Sequence, residues 1–373
     1  MGKGDKESVR ETFNIGLRWG LAFSIVSCLA SVLAPKFLMS LFTNSEDLQI
    51  IGAKYLKIAG WSYLLTGISQ SYIGMLKVSE RPRYAATISS STVVINIILN
   101  AVFIYGLFGL PRMEVEGAAV ATLLSRIIEL FWSVSVSFKK GYLRPRYSHL
   151  LKINRVLSLD YFKMVMPHIG ASLLWSVGFT MYTAFIGHLG KDATAANSVT
   201  SVVRDLLCCV TDGVSAGGGI LVGNALGAGD LEKGKTYGIR LMKMSYLIGI
   251  LGTVSMLALI PALTGAVKLS DGAKRYFISF MIIMAFYMIG RAVNTVVING
   301  IFGAGGDTVF DMYSLVAMMW CLAIPLAALG TFVFHWSPII VYAMTCLDEV
   351  GKLPWVMAHF SKYKWVKNLT REF

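Results

Sequence analysis

The sequence predicts an all-α integral membrane protein, a polytopic helical bundle, on three observations. Of 373 residues, 55% are hydrophobic and only 15% are charged, against about a quarter charged in ordinary soluble chains. Mean hydropathy is +0.63, too apolar for a chain of this size with water as its only solvent. The apolar residues also fall in successive runs of about 20 or more, each long enough to cross a hydrocarbon core about 30 Å thick. Such a segment must satisfy its own backbone hydrogen bonds, and these runs lack the two-residue alternation of barrel strands, so they read as helices.

Ten spans are expected, at 15–41, 55–77, 84–108, 116–138, 160–187, 194–226, 236–262, 276–302, 309–334 and 337–360. The first follows a charged stretch and is longer than a signal-peptide core, so it is read as a span and not as a removable leader. The five cysteines, Cys28, Cys208, Cys209, Cys321 and Cys346, all lie in apolar spans and none has metal-ligand spacing. The vicinal Cys208-Cys209 reads as small packing residues. The glycine-rich stretches GGGILVGNALGAG and GAGGDT lack the GK[ST] ending of a phosphate loop; the first suits close helix packing, the second a turn. Nothing in the chain resembles a nucleotide-binding cassette, a serine elbow or a metal-binding His/Glu motif, so an ATP-driven pump or a membrane enzyme is disfavoured.

The net charge of +13 is concentrated in alternate connections. Lys77, Arg81 and Arg83 form one basic group; Lys139, Lys140, Arg144, Arg146, Lys152 and Arg155 form the next. Lys233, Lys235, Arg240 and Lys243 follow, then Lys362, Lys364, Lys367 and Arg371. The intervening connections are acidic or poor in Lys and Arg, as in TNSEDLQ and RMEVEG. The positive-inside rule therefore places the basic loops and both termini in the cytoplasm of a multi-pass protein of the cell membrane. Positive charge at helix ends, without a binding module, does not point to nucleic acid.

The chain also repeats itself. MGKGDKESVRE aligns with LGAGDLEKGKT, placing Gly4-Asp5 on Gly229-Asp230 and Glu7 on Glu232. Gly74 before the turn Ser79–Pro82 matches Gly300 before Gly305–Thr308, and Trp132 with Lys139 matches Trp355 with Lys362. The last span of each copy carries charge: Arg126 and Glu129, then Asp348, Glu349 and Lys352. Two pseudo-symmetric lobes follow: a four-helix N-terminal lobe at 1–138, a basic linker at 139–158 and a six-helix C-terminal lobe at 159–373. The helix pair at 160–226 has no counterpart in the first lobe, so the expectation is a parent of twelve helices from which the first two are missing.

Several stretches carry a family resemblance. GNALGAGDLEKGK, MPHIGASLLWSVGFTMYTAFIGHLGKDATAANSV and INGIFGAGGDTVFDM resemble the multidrug and toxic compound extrusion (MATE) family, and NIILNAVFIYGLFG with EGAAVATLLSR looks like its fifth and sixth helices. The resemblance spans essentially the whole chain. It implies two six-helix lobes about a cavity that opens alternately to each side. It also implies export of small amphipathic or cationic substrates in exchange for Na+ or H+, with no cofactor beyond that ion. A monomer in contact with membrane lipid is the expected state. The family's acidic residue on the first helix has no position here, and the glutamate that some branches place after a proline is absent: Pro167 is followed by His168, Ser172 and Trp175. Two alternatives stand beside this reading, a flippase for lipid-linked precursors with a more cationic cavity and a truncated chain without activity.

Site candidates rest on the cost of charge in a membrane, about 2.5–3.5 kcal/mol on insertion scales, which turns such groups toward a cavity or a partner. Arg204, Asp205, Asp212 and Arg291 qualify. By depth, Arg291 falls between Asp205 and Asp212, about 6 Å from each along the axis. Arg291 is expected to pair with one and leave the other, with Asp212 preferred, open to a cation or proton. Arg126–Glu129 and Asp348–Lys352 read as intrahelical pairs. Gln70, Asn96, Asn100, Asn197 and Asn294 are candidates for interhelical hydrogen bonds or cavity lining. A proton-relay role for His168 or His188 is the weaker reading of those residues.

Overall fold

The computed structural model describes residues 6–40, 46–79, 81–109, 111–139 and 155–368. Gly4-Asp5 of the opening motif, Glu80, Arg371 and 140–154 of the basic linker lie outside them. The chain falls into two compact units that divide between Tyr161 and Phe162.

The first unit is built from α1 (Lys6–Leu33), α2 (Pro35–Ser40), α3 (Glu46–Val78), α4 (Pro82–Tyr105) and α5 (Glu114–Ser137). The expected first span is broken before Pro35, which has no N–H to continue α1. Pro82 opens α4, where a missing donor does no harm, and Gly106 ends it at φ 68°, a left-handed turn suited to glycine. α3 packs on α1 and α5, and α4 packs on α5.

The second unit begins in α6 (Arg155–His188) and continues through α7 (Lys191–Gly227), α8 (Leu231–Ala266) and α9 (Asp271–Asn294). The glycine-rich motif explains itself here. Gly229 turns the chain at φ 84°, and the Asp230 side chain accepts the Lys233 amide at 3.0 Å, capping α8. Ser270 caps α9 in the same way through the Ala273 amide at 3.1 Å. α9 continues without interruption into a π-helical stretch, Thr295–Phe302, and α10 (Thr308–Leu315) passes through a second, Val316–Ala323, into α11 (Ile324–Phe332). α9 and its π extension form the buried axis of the unit: Phe277, Phe280, Met281, Met288, Val293, Val297 and Ile301 are each at most 1% exposed. α7 reaches this axis where glycines meet. A Cβ on Gly219 would lie 2.9 Å from the Gly300 carbonyl oxygen, and one on Gly300 would lie 2.9 Å from that of Ser215.

Among the described residues, eight helices are long and apolar enough to cross a membrane. Two of the ten expected spans fall outside that set. α3 has the length, at 33 residues, but Ser62, Thr66, Ser69, Gln70 and Ser71 make it too polar. The segment 337–360 is not one helix but three: α12 (Pro338–Thr345), α13 (Leu347–Val350) and α14 (Leu353–Phe360). Pro354 supplies no donor, Gly351 is a poor helix former, and Asp348 Oδ1 accepts the Glu349 amide at 2.7 Å, competing with the backbone ladder.

Candidate functional site

Each unit buries a glutamate from the charged end of its sequence repeat. In the first, Glu129 on α5 is 2% exposed; Oε1 accepts from Ser69 Oγ at 2.7 Å and Gln70 Nε2 at 2.9 Å, and Oε2 pairs with Arg126. The intrahelical Arg126–Glu129 pair is thus present, and Gln70 serves it from α3. Asn96 donates to Ser125 Oγ at 3.1 Å and Asn100 to Asn96 Oδ1 at 2.9 Å, so these two tie α4 to α5.

In the second unit, the buried acid lies at the helix break. Glu349 is 2% exposed. Its Oε1 accepts from Arg291 Nη1 at 3.1 Å, its Oε2 accepts from Asn294 Nδ2 at 2.7 Å, and Lys352 Nζ stands 3.7 Å from Oε2. Two expectations are corrected. Arg291 pairs with Glu349, not with Asp205 or Asp212, because the broken segment α12–α14 brings its acid onto α9. Lys352 pairs with Glu349, not with Asp348, because the chain between them is not a regular helix.

Glu349 faces a cavity of about 330 Å³ lined also by His168, Trp175, Arg291, Asn294, Asp311 and Lys352. The Arg291 guanidinium lies 5.4 Å from the centre of the Trp175 ring, a cation–π contact. His168 Nδ1 lies 3.6 Å from Asp311 Oδ2 across α6 and α10. Three buried polar atoms on this cavity, Trp175 Nε1, Asn294 Oδ1 and Thr295 Oγ1, have no hydrogen-bond partner. Buried polar atoms are ordinarily satisfied, so their presence on a cavity wall marks places where a ligand or water can bind. The π-helical turn starts at Thr295, and such turns concentrate at functional positions.

A second cavity, of about 190 Å³, lies among Asn197, Arg204, Tyr182, Tyr287, Tyr342 and Asp348. Arg204 pairs with its neighbour Asp205 at 2.9 Å and rests over the Phe179 ring at 4.9 Å. The Trp175 and Phe179 rings lie 4.5 Å apart at a 40° tilt and Phe179 meets Tyr182 edge-on at 5.8 Å, an aromatic ladder on α6 that borders both cavities.

Among the residues expected from sequence, Arg291 and Asn294 therefore meet at the first cavity, and Arg204 and Asn197 at the second. Asp205, with its side chain 66% exposed, and Asp212, also exposed, lie on α7 and line neither. His188 hydrogen-bonds the Ala184 carbonyl at 2.8 Å beside Phe332. Glu349, Asp348, Asp311 and Trp175 were not singled out as site residues, although the acidic pair in an apolar run was the available signal. Among the described residues no three His, Cys, Asp or Glu side chains cluster as a metal site.

Comparison with known proteins gives a consistent result. The MatE family model matches residues 1–102 and 167–329. The chain is similar to the probable multidrug resistance protein NorM of Thermotoga maritima, 23% identical over 390 residues, covering 100% of this chain and 80% of the relative. It is also similar to the uncharacterized transporter YisQ of Bacillus subtilis, 23% identical over 329 residues, covering 87% of this chain and 71% of the relative. Among solved structures, a Vibrio cholerae MATE transporter superposes with a TM-score of 0.86 at 14% identity, over 99% of this chain and 82% of that one.

Proposed function

The chain belongs to the MatE family of multi-pass membrane transporters, and on that premise we propose that it exports small amphipathic or cationic compounds across the cell membrane in exchange for Na+ or H+. The observation that carries this reading is the first cavity. It is a polar chamber held among membrane-crossing helices, with the Trp175 face, the carboxylates of Glu349 and Asp311, and unsatisfied polar atoms on its walls. Its volume, about 330 Å³, is at the lower end of the range for small-molecule sites. An aromatic face attracts an organic cation by its quadrupole, and the carboxylates supply the opposite charge. The name of the Thermotoga maritima relative, a probable multidrug resistance protein, supports the same substrate class.

In this reading the N-terminal lobe, 1–138, and the C-terminal lobe, 159–373, are joined by the linker 139–158 and rock to alternate access. The exposed carboxylates Asp205 and Asp212 on α7 draw the coupling cation or the substrate toward the second lobe. The chain acts as a monomer, with no cofactor other than the coupling ion, and keeps both termini in the cytoplasm. The flippase alternative asks for a cationic cavity. Here Arg291 and Lys352 face Glu349 and Asp311 in the first cavity, and Arg204 shares the second with Asp348, so neither cavity carries an excess of positive side chains.

The test is accumulation of ethidium in bacteria stripped of their own efflux pumps. Expression of the chain should lower steady-state accumulation several-fold, and Glu349→Gln at matched membrane abundance should restore it. Accumulation equal to that of the empty vector would contradict the proposal.

A further inference from the structure

The internal repeat shows which features of α8 the fold does not require. The opening motif sets Gly4 on Gly229 and Glu7 on Glu232, an offset of 225 residues, so α1 is the counterpart of α8. Both helices turn an exposed apolar stripe outward at matching positions: Trp19, Val26 and Leu29 on α1, and Met244, Leu251 and Val254 on α8. Residues seven and ten apart share one helix face. In a helix long and apolar enough to cross a membrane, lipid covers such a face. The two stripes end differently. On the N-terminal side of Met244, α8 continues with Lys243 and Arg240, both exposed. At the matching positions α1 has Arg18, which donates to the Asn14 carbonyl at 3.3 Å, and Ile15, which is buried.

Among the described residues, no carboxylate oxygen lies within 4.0 Å of Arg240 or Lys243. They stand three residues apart on one helix, where like charges repel, and an anion between them removes that repulsion. At 1.5 Å per residue, Met244 to Ala266 covers about 34 Å, close to the thickness of a hydrocarbon core. Lys243 therefore falls at the edge of that core and Arg240 one turn beyond, in the headgroup layer. The other charges at this end of α8 are placed differently. Lys235 is turned to Tyr363, 4.5 Å from its ring centre. Lys233 lies about 15 Å farther out than Lys243, and Glu232 about 12 Å farther out than Arg240. The opposite face of α8 is fixed, because the fully buried Trp365 ring packs onto Gly238 and leaves no room for a Cβ there. The stripe cannot roll inward.

We propose that α8 carries a binding site for an anionic phospholipid: Arg240 and Lys243 hold the phosphate, and the stripe Met244–Val254 receives the acyl chains. The guanidinium offers phosphate oxygens two parallel N–H donors, and the ammonium adds a point charge. Each base at a membrane surface is worth about fivefold in affinity for an anionic headgroup, so the pair supplies about thirtyfold. A zwitterionic headgroup brings its own ammonium beside the phosphate and forfeits most of that gain. The apolar half of the site is common to α1 and α8, whereas the basic half belongs to α8 alone, which localises the preference to the second unit.

The test is native mass spectrometry of the purified full chain in a neutral detergent, titrated with dioleoylphosphatidylglycerol or dioleoylphosphatidylcholine, which differ only in the headgroup. The wild type should bind the first phosphatidylglycerol about thirtyfold more tightly than phosphatidylcholine. That preference should shrink as ammonium acetate is raised from about 0.1 to 1 M. Arg240→Gln/Lys243→Gln should abolish the preference and leave phosphatidylcholine binding unchanged, while Lys233→Gln should cost less than about fivefold. Arg240→Lys/Lys243→Arg, which keeps both charges, should retain it. Lys268→Gln/Arg275→Gln, which removes two charges from the other end of the same unit, should match the wild type. Glycerol 3-phosphate, a headgroup without acyl chains, should not displace the lipid. Equal binding of the two lipids by the wild type would overturn the proposal whether or not any variant folds. Equal losses in the two glutamine double variants, or displacement by glycerol 3-phosphate, would overturn it as well.

Discussion

Glu349 is held by a guanidinium, an ammonium and an amide from two parts of the chain about 55 residues apart in sequence. Removing one partner of such a buried pair strands the other charge, at a cost of about 3–5 kcal/mol. Glu349→Leu, which strands both Arg291 and Lys352, should therefore lower the melting temperature of the detergent-solubilised protein sharply. The triple variant Arg291→Met/Glu349→Leu/Lys352→Met, which removes all three charges, should recover much of that loss. Equal melting of the single variant and the wild type would show that Glu349 carries no such load. In the first unit, Gln70→Ala removes one hydrogen bond to the buried carboxylate of Glu129, worth about 1.5–3 kcal/mol for a charged acceptor. Thermal unfolding of that variant should fall by a corresponding step, and an unchanged transition would count against it. The sequence alone reached Arg204, Arg291, Asn197 and Asn294 because a polar group in an apolar run must find a partner or a cavity. It did not reach the identity of the partners. Depth arithmetic on straight helices paired Arg291 with α7, whereas the acid comes from a broken segment whose path no periodicity records.

At the scale of elements, apolar runs located helices over nine of the ten expected segments, since length and hydropathy leave a buried backbone no other way to satisfy itself. The tenth was misread because α12–α14 is as apolar as the rest on average. Its break depends on three local features, namely Asp348 bonding its neighbour's amide, Gly351 and Pro354. The two π-helical stretches were equally illegible, because their extra residue alters which backbone groups pair without altering composition. What fixes the first is packing: Ser215 Oγ donates to the Thr295 carbonyl at 2.9 Å, and Gly219 lies against Gly300. Gly219→Val should push α7 off this axis and cost about 1–3 kcal/mol by overpacking. Gly213→Ala, where an added Cβ meets nothing within 4 Å, should be neutral or stabilising by helix propensity. Differential scanning fluorimetry of the pair reads the contrast directly, and equal effects would show that the Gly219–Gly300 approach is not tight.

For the molecule as a whole, the two units and the polar chambers inside the second give the transport reading its physical content. Charge asymmetry then predicts sidedness. With the native cysteines replaced, a cysteine at Lys364 should react with an impermeant thiol reagent only from the cytoplasm, and one at Asp47 only from outside. Labelling of both from one side would contradict the proposed topology. The central claim, carrier-mediated movement of organic cations, is tested most directly by counterflow. Proteoliposomes containing the purified chain are loaded with unlabelled tetraphenylphosphonium and diluted into a trace of the labelled compound with all ion gradients collapsed. The account predicts a transient overshoot of label above its equilibrium level, diminished by Glu349→Gln. Uptake indistinguishable from that of protein-free liposomes would contradict it.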